Sequence, residues 1–389
     1  MNTERTVFSE ILDFVPKHQF RACTNRYNGN YRTKSFSCFD QYLTMAFAQL
    51  TYRDSLRDVE TCLRALEDKL YRCGFRGKIS RSTLADANEK RDWRIYQDFA
   101  QVLIRMARQL YADEDFGITL KNTVYALDAT VIDLCLSLFP WAQHRKHKSA
   151  VKLHTLMDLK GSIPTYICIT SGAVHETTVF RTLPLEPSAI YVMDKGYIDF
   201  ATLYSFSKSN SFFVIRAKKN AVYYRKCSRP IDKSTGLRSD QTIKLTGIKT
   251  SEFYPIPLRR ISFRDEDQQR TFVFLTNNFQ LDALTVCQLY KLRWQIELFF
   301  KWIKQHLRIK SFFGTSINAV KTQIWIAISV YVLVAIIKKE LKLERSLHEI
   351  LQILSILLFE KTPLKQAFTV NYYTFKEQQN FNKLSLYDL

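Results

Sequence analysis

An α/β fold with a mixed sheet, flanked by helices on both sides, is what this chain of 389 residues predicts. Three observations carry it. Residues 1–112 show helix-period apolar residues, residues 120–215 switch to short apolar β runs alternating with helix, and the chain from Leu281 onward returns to helical period.

The segments follow in order. Residues 1–112 form a helical unit. Phe39 to Leu66 reads as one long helix without Gly or Pro, Cys73 to Lys78 breaks it, and Ser80 to Thr83 caps a second helix over Leu84 to Lys90. Two helices about a Gly-bearing turn, behind the basic and aromatic stretch His18 to Lys34, point to a DNA-binding helix-turn-helix. The alternative is an ordinary helical domain with solvated arginines. Residues 120–215 hold strands at Thr123–Asp128, Val151–Met157, Pro164–Thr170, Ala189–Met193 and Phe212–Arg216, with a helix at Phe200–Ser207. Residues 216–278 show four short β runs and no long helical pattern. From Ser211 to Leu275 the chain holds 14 Lys+Arg and 6 Asp+Glu, so this stretch reads as a basic, β-rich insertion. Residues 279–389 are helical and include a core-like pair, Ile324–Ile337 and Ile350–Phe359.

Composition narrows the function. The net charge is +20 and the pI about 9.5, which favours a polyanionic partner, with an anionic membrane surface or plain basicity as competitors. A hydrophobic share of 46% with only 10 Gly and 9 Pro excludes a disordered, collagen-like or low-complexity chain. The apolar stretch Ile324–Ile337 falls short of the ~20 residues a bilayer requires, so it reads as a buried core helix. No apolar leader with a small-residue cleavage site is visible, and the eight scattered cysteines read as reduced thiols, so a cytoplasmic location is expected. His144, His147 and His154 lack cysteine partners at zinc-site spacing.

One helix carries the chemistry. On residues 285–309, Tyr290, Arg293, Trp294, Glu297, Lys301, Lys304 and Arg308 fall within a band of about 100°. Leu289, Leu292, Ile296, Phe299, Phe300, Ile303 and Leu307 form the opposite, apolar side. A solvated face with an Arg293–Glu297 pair at i, i+4 is the bland explanation, worth a few tenths of a kcal/mol. It leaves a single acid among four cations and two exposed aromatics unexplained. Cations for phosphate, a ring for a base and one acid for a divalent ion need this mixture. Partners for that acid are Asp128 and Asp194, each at the end of an apolar β run. Asp133, placed beyond the strand, and Asp158, placed in the turn before Gly161, are the alternatives. Acids from two strands and a downstream helix suit two-metal phosphoryl transfer, with ions about 3.5–4 Å apart.

These residues resemble a known family. Tyr290, Arg293, Glu297 and Lys304 reproduce the spacing of the YREK signature of the IS-four family of bacterial insertion-sequence transposases. Leu127-Asp128-Ala129-Thr130 and Asp194-Lys195-Gly196-Tyr197 look like its first and second Asp motifs. The first ~75 residues resemble a small helical domain of unknown function often found ahead of that core. The resemblance implies an RNase H-like core with a β insertion between the second Asp and the Glu, where 103 residues separate Asp194 from Glu297. It implies a DDE triad of Asp128, Asp194 and Glu297 binding Mg²⁺, for which Mn²⁺ substitutes. It also implies that Tyr290, Arg293 and Lys304 contact phosphates of the element end, with Trp294 near a terminal base and Lys301 and Arg308 on the same strip. Cut-and-paste transposition of double-stranded DNA by a homodimer on paired terminal repeats follows, in a bacterial, nucleoid-associated protein. One departure concerns the hairpin pathway: relatives that use it flip a base against a Trp of the insertion. The five tryptophans here are Trp93, Trp141, Trp294, Trp302 and Trp325, so Tyr223, Tyr224 or Tyr254 would have to substitute. A non-catalytic DNA-binding protein, such as a repressor or decayed transposase, and a plain structure-selective nuclease are the competing readings.

Overall fold

The computed structural model describes residues 5–145, 148–218, 220–266, 268–306 and 312–368. Helices come first: α1 (Val7–Ile11), α2 (Lys17–Arg26), α3 (Cys38–Leu50), α4 (Leu56–Ala65), α5 (Glu67–Leu70), α6 (Arg81–Lys90) and α7 (Arg94–Leu110). Serines start three of them by accepting from the N–H three residues on. Ser37 does so in a reciprocal box with Asp40, Ser55 with Asp58 and Ser80 with Thr83. The expected long helix Phe39–Leu66 is two helices, because Tyr52 takes a left-handed φ of 55° and Ser55 restarts the coil. Residues 66–80, with α5 among them, separate α4 from α6. That connection is longer than the roughly 3–4-residue turn of a helix-turn-helix.

The sheet begins with β1 (Val124–Leu134), β2 (Gln143–Arg145), β3 (Lys148–Asp158) and β4 (Ile163–Ser171). It continues, after α8 (Glu176–Phe180), with β5 (Ile190–Met193), α9 (Phe200–Lys208) and β6 (Phe212–Arg216). β1 outruns the expected strand, because every residue from Tyr125 to Leu134 is paired with β3. Asp128 therefore lies mid-strand, and Asp133, expected beyond the strand, lies within it and is exposed. Gly161 turns β3 into β4 at φ 72°, where a Cβ would stand 2.2 Å from the Tyr111 ring. β3 pairs antiparallel with both β1 and β4, while β5 and β6 run parallel to β1. The order β4-β3-β1-β5-β6, antiparallel then parallel, is that of an RNase H-like core. β7 (Tyr223–Arg229), β8 (Leu237–Leu245), β9 (Leu258–Asp265) and β10 (Arg270–Thr276), with α10 (Ile248–Phe253) between β8 and β9, extend the same sheet. β10 pairs with β6, and the strands continue antiparallel to β7.

Period-2 alternation divides β1 between two layers. Val124, Ala126 and Ile132 join a core with helices from both ends of the chain, while Tyr125 and Leu127 pack toward Phe180, Leu203 and Phe206 of α8 and α9. The C-terminal helices are α11 (Ala283–Leu292), α12 (Trp294–His306), α13 (Ile317–Glu340), α14 (Leu347–Leu357) and α15 (Leu364–Ala367). α13 contains the expected core stretch, starts at a Ser316 cap, and packs against α3, α6, α7 and α14. Among the described residues it is the one helix long and apolar enough to cross a membrane, and 94% of its apolar window is buried inside the protein. The eight cysteines are all free.

Because α13 is enclosed by helices from the N-terminal part, truncating its buried Trp325 opens a cavity shared by both ends of the chain. Trp325→Ala is expected to cost about 3–5 kcal/mol, read as a lower urea midpoint by far-UV circular dichroism.

Candidate active site

Strand register brings the two aspartates together. Leu127 of β1 is paired with Met193 of the parallel strand β5, and the next residue on each strand is an aspartate, Asp128 and Asp194. Asp128 shares its face of β1 with Ala126 and Ile132, the face that α12 covers. Glu297 lies in the first turn of α12.

The expected single helix over 285–309 is interrupted. At Arg293 the backbone bonds tighten to i→i+3, with Arg293 N–H donating to Tyr290 O and Ile296 N–H to Arg293 O. α11 ends there and α12 begins one residue on. From this step the Arg293 guanidinium forks between two acids: Nη1 donates to Asp128 Oδ2 at 2.5 Å and Nη2 to Glu297 Oε1 at 2.6 Å. Tyr290 Oη donates to Asp194 Oδ1 at 2.9 Å, its ring held against Phe274 with centroids 4.7 Å apart. Two side chains of the helix junction thus bond all three acids. The i, i+4 pair of the bland explanation is present, but the same arginine also reaches a strand 165 residues away in sequence. In the free chain Tyr290 and Arg293 are engaged with carboxylates. Trp294 is 57% exposed, and Lys301 and Lys304 are exposed on α12. Arg308 lies outside the described residues, as does Leu307. Ile296, Phe299, Phe300 and Ile303 are buried beneath.

Burial pushes the Asp128 carboxyl up to about 6, with Arg293 pulling it back and Glu297 and Asp194 adding to the rise. Burial, then the Asp194 charge, pushes the Tyr290 phenol up to about 12. Among the described residues, buried polar atoms without a hydrogen-bond partner include Arg293 Nε, Thr155 Oγ1, across the strand pair from Asp128, and Tyr197 Oη, in the turn after Asp194. Among the described residues, no three carboxylates, imidazoles or thiolates lie close enough as they stand to hold an ion together. The donor set nonetheless fits a hard divalent cation: carboxylate oxygens from two strands and a helix, with unsatisfied polar atoms beside them.

The remaining candidates resolve into packing. Asp158 ends β3, faces Arg108 Nε at 3.4 Å and accepts from Lys160 N–H. His154 bonds Thr170 at 3.0 Å through Nε2, and burial lowers its pKa to about 4. The His144 ring packs under Gly172, and His147 lies outside the described residues. Glu176 accepts from the buried Lys152 at 3.0 Å, a pair that no spacing rule in the sequence signals. Of the tyrosines considered for base capture, Tyr254 is fully buried beside Ser207, Tyr223 lies under Arg260, and Tyr224 is exposed.

A family model described as a transposase DDE domain matches residues 119–333, and one described as a domain of unknown function matches residues 3–76. A Sinorhizobium fredii protein named as transposase y4zB is 34% identical over 257 residues, covering 65% of this chain and 70% of its own. The Geobacillus stearothermophilus transposase named for insertion sequence element IS5377 is 30% identical over 209 residues, 53% of this chain and 54% of its own. The Synechocystis transposase named for element IS4SA is 24% identical over 324 residues, 80% and 86% of the two chains. A solved piggyBac transposase synaptic complex with hairpin DNA aligns over 96% of this chain and 82% of that one. Its TM-score of 0.43 at 8% identity is too loose a likeness to carry an argument.

The Asp128 carboxyl sets a pH signature. Its folded pKa of about 6 lies above the ordinary ~3.9, so the fold favours the protonated form. That contribution to stability is complete below about pH 4 and is lost as pH rises through about 6. Asp128→Asn should therefore raise the melting midpoint at pH 8, by at most about 3 kcal/mol of stability, with the gain vanishing toward pH 4. A gain of equal size at both pH values would detach it from this carboxyl.

Proposed function

The chain belongs to the transposase DDE-domain family, a family of metal-dependent DNA transposases, and on that premise we propose that it cuts insertion-sequence ends and joins them to target DNA with Asp128, Asp194 and Glu297 as its triad. One observation carries the assignment. Arg293 links Asp128 of the first strand to Glu297 of α12, while its neighbour Tyr290 holds Asp194, so each acid is engaged by a residue of one helix junction. The spacing of Tyr290, Arg293, Glu297 and Lys304 supports the narrower IS-four assignment.

The proposed cofactor is Mg²⁺, with Mn²⁺ able to substitute. When bound, a pair of such ions supplies Lewis-acid and water-activating chemistry for phosphoryl transfer. The chain's own residues do the rest. Asp128, Asp194 and Glu297 would hold the ions, and the bond from Tyr290 fixes the direction of the Asp194 carboxylate. In the free chain Arg293 balances the charge of Asp128 and Glu297. A DNA phosphate offers that guanidinium an equivalent bidentate acceptor, so binding of the element end would draw it off the acids. Lys301 and Lys304 would take further phosphates, and exposed Trp294 offers a face for a base. No protein nucleophile is needed, since positioning and charge stabilisation supply the rate. Cut-and-paste on paired ends by a homodimer, in the bacterial cytoplasm on the nucleoid, completes the reading. For a hairpin step, Tyr224 is the exposed aromatic on β7 available to a displaced base.

The test separates chemistry from binding. Glu297→Gln should lower Mg²⁺-dependent nicking of end DNA roughly 100-fold or more while end affinity holds, and retained nicking refutes the triad. Lys304→Ala should weaken end binding and lower the slope of log affinity against log salt by about 1, measured by fluorescence anisotropy.

A further inference from the structure

Buried polar atoms in folded proteins almost always find a partner, and each exception asks for a reason. Among the described residues, two of the exceptions are hydroxyls of residues next to the candidate acids in strand register or along the chain. Thr155 is fully buried in β3 and lies directly across from Asp128 in the β1–β3 register, and its Oγ1 bonds nothing. Opposed residues of an antiparallel pair present their side chains to the same face, with Cβ atoms about 4.5–5.5 Å apart, so this hydroxyl stands beside Asp128. Tyr197 is 2% exposed and closes the turn after Asp194, its N–H donating to Asp194 O at 3.1 Å. Its Oη is also buried without a partner, and burial, then the Asp128 charge, raises its pKa.

Neither hydroxyl helps the fold. An unmet buried hydroxyl is costly, and Val would give the Thr155 position the same shape, a better strand former and no unmet group. Both oxygens of Asp128 are meanwhile occupied: Oδ1 accepts from Ala129 N–H at 2.8 Å and Oδ2 from Arg293. Once the guanidinium leaves, Oδ2 loses its donor, while the unengaged hydroxyl of Thr155 stands across the strand pair and that of Tyr197 follows Asp194 in the adjoining turn.

We propose that Thr155 and Tyr197 are positioning residues of this site, whose hydroxyls orient the Asp128 carboxylate, and the solvent around it, toward a divalent cation. The inference rests on the reading of Asp128 as a metal carboxylate. It explains why two unmet hydroxyls persist where apolar side chains of the same shape would pack as well.

The test measures Mn²⁺ affinity by calorimetry and electron paramagnetic resonance, with melting midpoints alongside, on the full chain both free and with a saturating short DNA duplex. Thr155→Val and Tyr197→Phe should keep or raise the melting midpoint while weakening Mn²⁺ binding roughly 10- to 100-fold. Thr155→Ser, which restores the hydroxyl, should bind Mn²⁺ as the wild type does. Thr322 of α13 supplies the control: it too is fully buried with an unpartnered Oγ1, and Thr322→Val should raise the midpoint with Mn²⁺ binding unchanged. If Asp128→Asn abolishes Mn²⁺ binding but Thr155→Val and Tyr197→Phe do not weaken it, the positioning role is overturned and the metal reading stands. If Asp128→Asn binds Mn²⁺ like the wild type, both fall. A Thr155→Val chain that does not fold overturns the premise that this hydroxyl has no structural use.

Discussion

A guanidinium shared between two carboxylates sets the relation of helix to sheet in this protein. Arg293 is 14% exposed and Asp128 22%, so their contact is made in a partly desolvated place where an unpaired charge would be expensive. Glu297, half exposed, gives the remaining Nη group an outlet toward solvent. The 3₁₀-type step at Arg293 belongs to the same constraint, because it ends α11 and begins α12 at the residue that must reach the strand. The carboxylates of Asp128 and Glu297 are consequently held on one guanidinium in the free chain.

That junction is held from behind. The buried face of α12 carries Ile296, Phe299, Phe300 and Ile303, and Phe299 meets Tyr331 of α13 with centroids 5.0 Å apart. α13 is in turn wrapped by α3, α6 and α7. Residues from both ends of the chain therefore support a site made of strands and one helix. The stretch matched by the domain of unknown function, residues 3–76, shares a continuous core with that support.

Much of this was legible in the sequence, and the gaps have physical causes. The helical spacing of Tyr290, Arg293, Glu297 and Lys304 and the apolar β runs ahead of Asp128 and Asp194 were visible because periodicity and strand composition are local signals. The true length of β1 was not, since pairing with β3 carries Ala129 to Leu134 into the ladder and tertiary pairing overrides local preference. The break at Thr51–Asp54 inside an apolar helical run was missed because it lacks Gly and Pro. The direction in which Tyr290 and Arg293 point in the free chain could not be read from the helical wheel, which gives the face but not the partner. Thr155 and Tyr197 stood in view as residues, yet an unmet hydroxyl exists only once burial is known.

The insertion strands continue the core sheet without a gap, from β6 through β10, β9 and β8 to β7. At about 4.8 Å per strand, five steps separate β7 from β5 by roughly 24 Å along the sheet, and a twist of about 20–25° per step turns it through roughly 100–125°. The outermost strand, with exposed Arg225 and Lys226, is thus a crossbar welded to the blade that bears Asp194. Its charged edge discourages pairing with a stray strand. Its position relative to Asp194 is dictated by backbone hydrogen bonds instead of by a flexible tether.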